Sequence, residues 1–199
     1  MPLGPTQLRG DEVAARLEEA LPGIVRGSTE EWSEIDSARI REALRWLHDS
    51  EIFDAAQLSN LCGVDWHTHF EVVYHLQSLD LNHQIVLKAR VEDHEAPELP
   101  SAYPVYKGAL LQEREVYDLM GIHFEGHPDL RRLFLWEGYP GHPLRKDFLG
   151  LEQQTPGLQR FPYERADAPD RIMNADNLTP DAMQAKAETS KSDSPRSER

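Results

Sequence analysis

Cysteine and long apolar runs are both nearly absent from this sequence. Cys62 is the single cysteine among 199 residues, so an intramolecular disulfide is impossible and the chain alone cannot form a cysteine metal cluster. No apolar run approaches the roughly 20 residues that cross a bilayer, and the N-terminus lacks a basic region followed by an apolar one. We therefore expect a cytoplasmic chain that associates with a membrane only through a partner.

Positive charge and nucleotide-binding motifs are also scarce. The chain has 21 Lys and Arg against 35 Asp and Glu, a net charge of −14, which argues against non-specific binding to nucleic acid or anionic lipid. Neither a GxGxxG nor a GxxxxGK(S/T) phosphate loop occurs, and no serine lies in a G-x-S-x-G elbow. Nucleotide binding and serine hydrolase chemistry are therefore unsupported, and no nucleic-acid partner is expected.

Composition predicts four segments along the chain. Residues 1–10 are rich in proline and glycine and should form a flexible N-terminus. Helical and strand patterns over 11–121 predict one α+β domain. Residues 122–172 keep apolar residues between glycines and prolines, which predicts an extended arm that packs on the domain and on a partner. Residues 173–199 have almost no large apolar groups and should be a disordered tail.

Hydrophobic periodicity within the domain predicts three helices and four strands. The helices are expected over 11–21, from Asp36 or Ser37 through Leu47, and from Ser101 or Pro104 to Gly121, and the strands over 24–27, 58–66, 70–79 and 84–91. Short polar links join the last three strands, which favours an antiparallel meander. We predict an α+β fold: a mixed, mostly antiparallel sheet of about four strands with helices packed on it, plus an extended C-terminal arm.

The most informative stretch runs from Gln112 to Phe148. From Gly121 onward, a glycine or proline recurs every few residues, so regular structure cannot continue for long. Large apolar side chains and a basic island lie between these residues, and this composition suits a protein interface better than a phosphate site. The basic island comprises Arg131, Arg132, Arg145 and Lys146.

Three carboxylates in the third predicted helix, Glu113, Glu115 and Asp118, could indicate general acid and base catalysis. Residues two apart on a helix point in different directions, so Glu113 and Glu115 cannot flank one substrate atom. We therefore expect no catalytic residues here. Arg114 and Asp118, four residues apart on another face, can pair with each other.

Glu113 lies in the middle of the apolar stripe of that helix. A carboxylate in such a position is costly unless it is paired. We hypothesise that Glu113 is buried and forms an ion pair with an arginine of the arm, one of Arg131, Arg132 and Arg145. The alternative is a rotated helix that leaves Glu113 in solvent, because helical phase read from a sequence is uncertain.

Histidines of the same stretch could also supply metal ligands. A helical His123 and His127 pair would need a helix, which Gly121, Gly126 and Pro128 interrupt, so hydrogen-bonding histidines are favoured. The full set of potential ligands comprises His123, His127, His142, Asp129 and Asp147. A stand-alone metal hydrolase that uses His123, His127 and Asp129 is kept as a remote alternative.

The stretch also carries a family resemblance. The run EREVYDLMGIHFEGHPDLRRL at 113–133, followed by GHPLRKDF at 141–148, closely resembles the signature of the NuoC or 30-kDa subunit family of proton-pumping NADH:quinone oxidoreductase, respiratory complex I. GVDW at 63–66 and HFEVVYHLQSL at 69–79 look like the central strands of that family. The resemblance covers roughly residues 20–150.

The resemblance implies a scaffold subunit in the hydrophilic arm of that enzyme, on the cytoplasmic side of the bacterial inner membrane and peripheral to it. Members of this family are similar in holding no cofactor, with FMN, iron–sulfur clusters and quinone bound by partner subunits. The expected partners are the hydrogenase-like, quinone-site subunit of D type and other subunits of the hydrophilic arm. An equivalent subunit of a membrane-bound hydrogenase or of a ferredoxin-fed quinone reductase is the alternative.

The residues expected at the partner interface, or in contacts between helix and arm, come from the matched motifs. They are Glu113, Arg114, Glu115, Asp118, His127, Asp129, Arg131, Arg132, His142, Arg145, Lys146 and Asp147. No catalytic, cofactor-binding or metal-binding residue is expected in this chain.

Overall fold

A mixed six-stranded sheet forms the centre of the computed structural model, which describes residues 4–148. The elements in chain order are β1 (Thr6–Gln7), α1 (Gly10–Ala20), β2 (Val25–Ser28), β3 (Ser33–Ile35), a 3₁₀ turn (Ser37–Arg39), α2 (Ile40–Asp49), β4 (Gln57–Asp65), β5 (Phe70–Ser78), β6 (His83–Val91), β7 (Glu98–Pro100), α3 (Ala109–Met120) and β8 (His123–Glu125). The strand order is β2-β3-β6-β5-β4, with β1 beside β6.

The predicted antiparallel meander is confirmed as β4, β5 and β6. Side chains alternate between two faces along these strands, because a strand has a period of two residues. On β5 the core face carries Phe70, Val72, Tyr74 and Leu76, all fully buried. The helices pack on this face, so the α+β prediction with a mostly antiparallel sheet is also confirmed.

Two short parallel strands extend the sheet beyond the four that the sequence predicts. β1 and β3 both pair with β6 in parallel. The expectation of a flexible segment over residues 1–10 differs from the structure at β1, where the Thr6 N–H donates to the Asn82 carbonyl at 3.0 Å and the Leu8 N–H donates to the Gln84 carbonyl at 2.9 Å. These bonds anchor the chain just before α1.

The helices bury the apolar stripes that their sequences predict. In α2 the buried residues are Ile40, Ala43, Leu44 and Leu47. Asp36 caps the preceding 3₁₀ turn by accepting a hydrogen bond from the Ala38 N–H at 3.1 Å. None of the helices within residues 4–148 is both long and apolar enough to span a bilayer.

The third helix is shorter than predicted. Residues 101–108 form turns in which the Tyr106 N–H donates to the Ala102 carbonyl, and α3 starts only at Ala109. The helix ends where predicted, at Gly121, which adopts the left-handed conformation with φ of 78°. A side chain at Gly121 would also collide with the ring of His142, 2.7 Å from an added Cβ, so this turn requires glycine on two grounds.

The described part of the arm, residues 122–148, is not extended throughout. Its first residues form β8, which pairs in parallel with β7. From Gly126 to Phe148 the chain follows turns and loops without helix or strand. The rest of the predicted arm, 149–172, and the predicted tail, 173–199, lie outside the described residues.

Candidate functional site

Asp118 is the main attachment point of the arm to the domain. It is fully buried on α3, and its Oδ2 accepts hydrogen bonds from three successive backbone N–H groups, those of Leu133 at 2.9 Å, Phe134 at 2.7 Å and Leu135 at 2.9 Å. Consecutive N–H groups that converge in this way form a concave anion-binding site. The carboxylate of Asp118 therefore fixes the backbone path of this turn.

Arg132 completes the environment of Asp118. Its Nη1 donates to Asp118 Oδ1 at 3.0 Å, and its Nη2 donates to the carbonyls of Tyr139 at 3.1 Å and Gly141 at 3.2 Å. A guanidinium has several donors in a fixed planar geometry, which suits such a multiple contact. Arg132 thus connects the helix to two further turns of the arm.

Opposing effects act on the Asp118 carboxyl. Burial alone would raise its pKa, but the hydrogen bonds from three backbone N–H groups and Arg132 stabilise the charged form, so the pKa lies below its ordinary value of 3.8. A lowered pKa means that the contribution of Asp118 to folding is present above the pKa of the unfolded chain and is lost at more acidic pH. Asp118 is therefore a carboxylate at neutral pH.

The pairing predicted between Arg114 and Asp118 is wrong. Arg114 donates from Nε to the Arg131 carbonyl at 3.0 Å and from Nη2 to the Arg132 carbonyl at 2.9 Å. Asp118 instead accepts from the N–H groups of the next three residues, 133–135. Arg114 therefore binds carbonyl groups of this arm turn, and Asp118 binds its N–H groups, so two side chains of α3 hold the same turn.

His142 contacts the same end of α3. Its Nδ1–H donates to the Asp118 carbonyl at 2.9 Å, an acceptor that the helix terminus leaves free. Burial lowers the pKa of His142 below its ordinary value of 6.5, and the charges of Arg132 and Arg145 lower it further. The imidazole is therefore neutral at pH 7 and acts as a hydrogen-bond donor.

Glu113 is fully buried, as the sequence suggests, but the predicted arginine partner is wrong. Its Oε2 accepts from the Ser101 hydroxyl at 2.6 Å, and its Oε1 accepts from the Ala102 N–H at 2.5 Å. Both donors belong to the turn after β7, which precedes α3 in the chain. Arg132, one of the three proposed partners, pairs with Asp118 instead.

Burial dominates the titration of Glu113. It raises the pKa to about 7, although the hydrogen bonds from Ser101 and Ala102 and the charge of Arg41 act in the opposite direction. Arg41 contributes from a distance, because its guanidinium donates to the carbonyls of Ser101 at 2.9 Å and Glu125 at 2.6 Å. Glu113 thus stabilises the turn after β7, and Arg41 connects this turn to α2 and β8.

Asp65 is a third buried carboxylate, at the end of β4. Its Oδ2 accepts from the Lys146 N–H at 2.8 Å, and its Oδ1 accepts from the His67 N–H at 2.7 Å. Burial would raise the pKa of Asp65, but these bonds and a contact with His94 lower it below its ordinary value. Arg145 strengthens the attachment, since it donates to the His94 carbonyl at 2.6 Å.

Replacing Asp65 with alanine should release the second half of the arm. The Lys146 and His67 N–H groups would lose their acceptor, which typically costs about 1–3 kcal/mol. We expect a lower free energy of unfolding and faster tryptic cleavage after Arg145 or Lys146. Mass spectrometry of the digest measures the rate of this cleavage. Asp80→Ala, on the exposed turn between β5 and β6, is the matched control, and equal cleavage rates for both variants would contradict this role.

The histidines of the arm are engaged in hydrogen bonds. His127 Nε2–H donates to the Leu110 carbonyl at 3.0 Å, and its Nδ1 accepts from the Asp129 N–H at 3.0 Å, so both ring nitrogens are used. His123 contacts Glu98 through Nδ1 at 2.8 Å. Within residues 4–148, no group of three or more His, Cys, Asp or Glu side chains is placed to hold a metal ion.

The remaining predicted interface residues lie on the surface. Asp129 and Arg131 pair with each other, as do Arg145 and Asp147 at 3.3 Å. Exposed apolar side chains accompany them: Phe134 is 65% exposed and Leu144 is 57% exposed. The polar surface positions are Glu115, Asp129, Arg131, Lys146 and Asp147. The arm thus presents both charge and apolar surface to solvent.

The matched motifs did not identify Asp65, Ser101 or His94 as site residues. Asp65 had a detectable signal, because a lone carboxylate follows the otherwise uncharged run LCGV. Ser101 and His94 had none, since a serine after proline and a histidine in an acidic loop are ordinary surface residues.

The region that carries these contacts matches a known family. A family model described as the 30-kDa subunit of respiratory-chain NADH dehydrogenase matches residues 33–154, a span that includes Asp65, Glu113, Asp118 and the described arm. The chain belongs to this family. It is therefore related to subunits of an oxidoreductase complex, as the motifs suggested.

Individual relatives also support membership of the 30-kDa subunit family. The C subunit of NADH-quinone oxidoreductase from Roseiflexus castenholzii is 42% identical over 149 residues, which cover 71% of this chain and 85% of the relative. The C/D subunit of NADH-quinone oxidoreductase from Phocaeicola vulgatus is 44% identical over 116 residues, which cover 58% of this chain and 22% of the relative.

A solved structure shares the fold. It belongs to the membrane-bound sulfane sulfur reductase, an archaeal respiratory membrane complex, and aligns with a TM-score of 0.59 at 26% identity over 76% of this chain and 94% of that chain. The family fold therefore extends beyond the NADH-quinone oxidoreductases.

Proposed function

We propose that this chain is a scaffold subunit, without a cofactor of its own, in the hydrophilic arm of a proton-translocating NADH:quinone oxidoreductase. Electrons pass from NADH to quinone through the FMN, iron–sulfur clusters and quinone site of partner subunits, which this chain holds in position. The observation that carries the proposal is the family match over residues 33–154, which includes Asp65, Asp118 and the described part of the arm.

The partner of the arm is the hydrogenase-like subunit of D type. Support comes from the Phocaeicola vulgatus relative, whose name combines the C and D subunits and of which the matched segment is only 22%. Two subunits joined in one polypeptide remain at high effective concentration, which favours an interface between them. The exposed Phe134 and Leu144 supply apolar surface for such an interface.

The attachment of the arm suits a scaffold. Two buried carboxylates, Asp118 and Asp65, hold its backbone and leave its exposed side chains for a partner, so little conformational entropy remains to be lost on assembly. The chain itself is peripheral and is bound on the cytoplasmic side of the membrane through the complex. The proposed contact residues are those of the arm and the adjacent face of α3.

One related assembly is a second candidate. The structural similarity to a chain of the membrane-bound sulfane sulfur reductase, at a TM-score of 0.59, supports a role for the same scaffold in another respiratory membrane complex. The subunits that accompany the chain distinguish the two candidates, because the first candidate requires an FMN-binding, NADH-oxidising subunit among them.

Purification of the tagged full chain from solubilised membranes tests the proposal. We expect recovery of a hydrogenase-like subunit, iron–sulfur subunits and NADH:quinone oxidoreductase activity. Phe134→Glu, on the arm, should reduce this recovery by at least about tenfold, because it places a charge in an apolar contact. Leu79→Glu is the matched control, since Leu79 is 67% exposed on the turn between β5 and β6 and Phe134 is 65% exposed.

Two outcomes would contradict the proposal. Purification without hydrogenase-like and iron–sulfur subunits would refute the scaffold role. Stoichiometric zinc or iron in the chain purified without any partner subunit would favour the hydrolase alternative based on His123, His127 and Asp129.

A further inference from the structure

Strand β4 lies at the end of the sheet, with β5 on one side. At the hairpin between them the Trp66 N–H donates to the His69 carbonyl at 3.0 Å, which marks a hydrogen-bonded pair. Because such pairs alternate along antiparallel strands, Cys62 bonds to β5, whereas the N–H and C=O groups of Leu61 and Gly63 point away from it. Within residues 4–148, no strand pairs with these outward groups.

Helix α3 packs over this edge strand. Gly108, just before the helix, lies next to the Leu58 carbonyl, and Gly63 lies under Val116 and Met120. A Cβ at Gly63 would be 2.5 Å from Met120 Sδ and 3.1 Å from Val116 Cγ1, so glycine permits the close approach of helix and strand. The edge of β4 and the face of α3 thus form the two sides of a groove.

The groove contains an apolar pocket of about 120 Å³. A cavity of roughly 150 Å³ in another protein holds benzene, so this pocket has room for one aliphatic side chain. Its lining consists of Asn60, Leu61, Cys62, Gly63, Glu115, Val116, Leu119, Met120 and Leu144. The outward backbone groups of Leu61 and Gly63 therefore lie beside a pocket for a side chain.

The helical side of the groove carries two leucines, one exposed and one half-buried, and one exposed charge. Leu111, Glu115 and Leu119 lie on one face of α3 at intervals of four residues, and Leu111 is 53% exposed. Leu144, from the arm, lies beside Leu119, whose carbonyl accepts from the Leu144 N–H at 2.9 Å. Glu115 forms no ion pair within the part of the chain that the structure describes.

We propose that this groove binds an extended segment of a neighbouring subunit, which adds to β4 as a further strand. The segment pairs with the N–H and C=O groups of Leu61 and Gly63, inserts one aliphatic side chain into the pocket and places a lysine or arginine against Glu115. Main-chain hydrogen bonds of this kind provide affinity, and alternate side chains provide specificity. The inference deepens the scaffold role and rests on it.

A second copy of the chain fits the groove poorly. Pairing β4 with β4 of another copy would bring together two acidic proteins, each of net charge −14. The β4 strand of that second copy has no lysine or arginine to place against Glu115. A small molecule would leave the outward N–H and C=O groups of Leu61 and Gly63 without hydrogen-bond partners. A basic, alternately apolar peptide segment satisfies the edge, the pocket and the charge together.

Hydrogen exchange resolved to single amides tests the groove, with the full chain measured alone and in the purified assembly. The Leu61 and Gly63 amides should exchange at least about tenfold more slowly in the assembly, because each gains a hydrogen bond. The Cys62 amide, already bonded to β5, should change little. Glu115→Lys and Leu144→Glu should each abolish the added protection, whereas Leu79→Glu should retain it.

The outcomes separate this inference from the scaffold role. If the assembly forms and contains its iron–sulfur subunits, but Leu61 and Gly63 exchange equally fast in both samples, the groove inference is wrong and the scaffold role stands. Failure of the chain to enter any such assembly overturns both. Protection that grows with the concentration of the chain alone would identify a second copy as the occupant and overturn the inference.

Discussion

Replacing Asp118 with alanine is expected to lower the free energy of unfolding by about 3–5 kcal/mol, the usual cost of removing one partner of a buried ion pair. The change leaves Arg132 without its carboxylate and deprives the N–H groups of Leu133, Phe134 and Leu135 of their acceptor. Urea unfolding followed by circular dichroism measures the loss. The expected effect is large because one side chain fixes a whole turn.

A matched control separates this role from a general effect of charge. Asp147 also pairs with an arginine, Arg145, but its side chain is 56% exposed, and within residues 4–148 it accepts no backbone N–H. Asp147→Ala should leave the unfolding midpoint nearly unchanged, since exposed ion pairs contribute little. A loss for Asp118→Ala no greater than that for Asp147→Ala would show that the arm is held by other contacts.

Replacing Glu113 with glutamine should remove a pH dependence of stability. The pKa of Glu113 is raised from 4.5 to about 7 in the folded chain, so the folded state binds more protons than the unfolded state between these values. Its contribution is therefore greatest below about pH 4.5 and is lost as pH rises toward 7 and above. Because one pKa unit corresponds to about 1.4 kcal/mol, the full loss is about 3 kcal/mol.

Glutamine can reproduce the neutral form of this side chain. Its carbonyl can accept from the Ala102 N–H, and its amide can donate to the Ser101 oxygen. We expect Glu113→Gln to match the wild type near pH 5 and to exceed its stability at pH 8, as measured by urea unfolding across that range. Parallel stability curves for the two proteins would show that Glu113 titrates normally. Glu42→Gln, at an exposed ion pair with Arg39, controls for the loss of one charge.

Periodicity predicted the elements that bury a regular stripe and missed those that do not. The meander strands are nine residues long, enough to display alternation, and α2 carries four buried residues at helical spacing. β1 and β3 contain two and three residues, too few for a period. Each pairs with β6 across a long sequence separation, and local patterns carry no information about such contacts.

The motifs located the candidate site, but the predicted partners of Glu113 and Asp118 were wrong. Charge spacing suggested that Asp118 would pair with Arg114 and Glu113 with an arginine, because side-chain charges are visible in a sequence. The actual partners of Glu113 are the Ser101 hydroxyl and the Ala102 N–H, and those of one Asp118 oxygen are three backbone N–H groups. Every residue other than proline carries such a group, so the sequence offers no sign of which ones a carboxylate selects.

The buried carboxylates also explain how a glycine- and proline-rich segment can have a defined path. Residues 126–148 lack the repeated backbone bonds of a helix or strand. Asp118 and Asp65 supply acceptors for N–H groups near the middle and the end of this segment. An arm fixed in this way presents a defined surface to a partner before assembly, which reduces the entropic cost of binding.

Hydrogen exchange of the Leu133, Phe134 and Leu135 amides in the full chain at pH 7 tests most directly whether buried carboxylates hold the arm. All three N–H groups donate to one Asp118 oxygen, although they belong to a segment without regular secondary structure. We predict strong protection of these amides in the wild type and its loss in Asp118→Ala. Exchange of the wild-type amides at the rate of an unstructured chain would contradict the account.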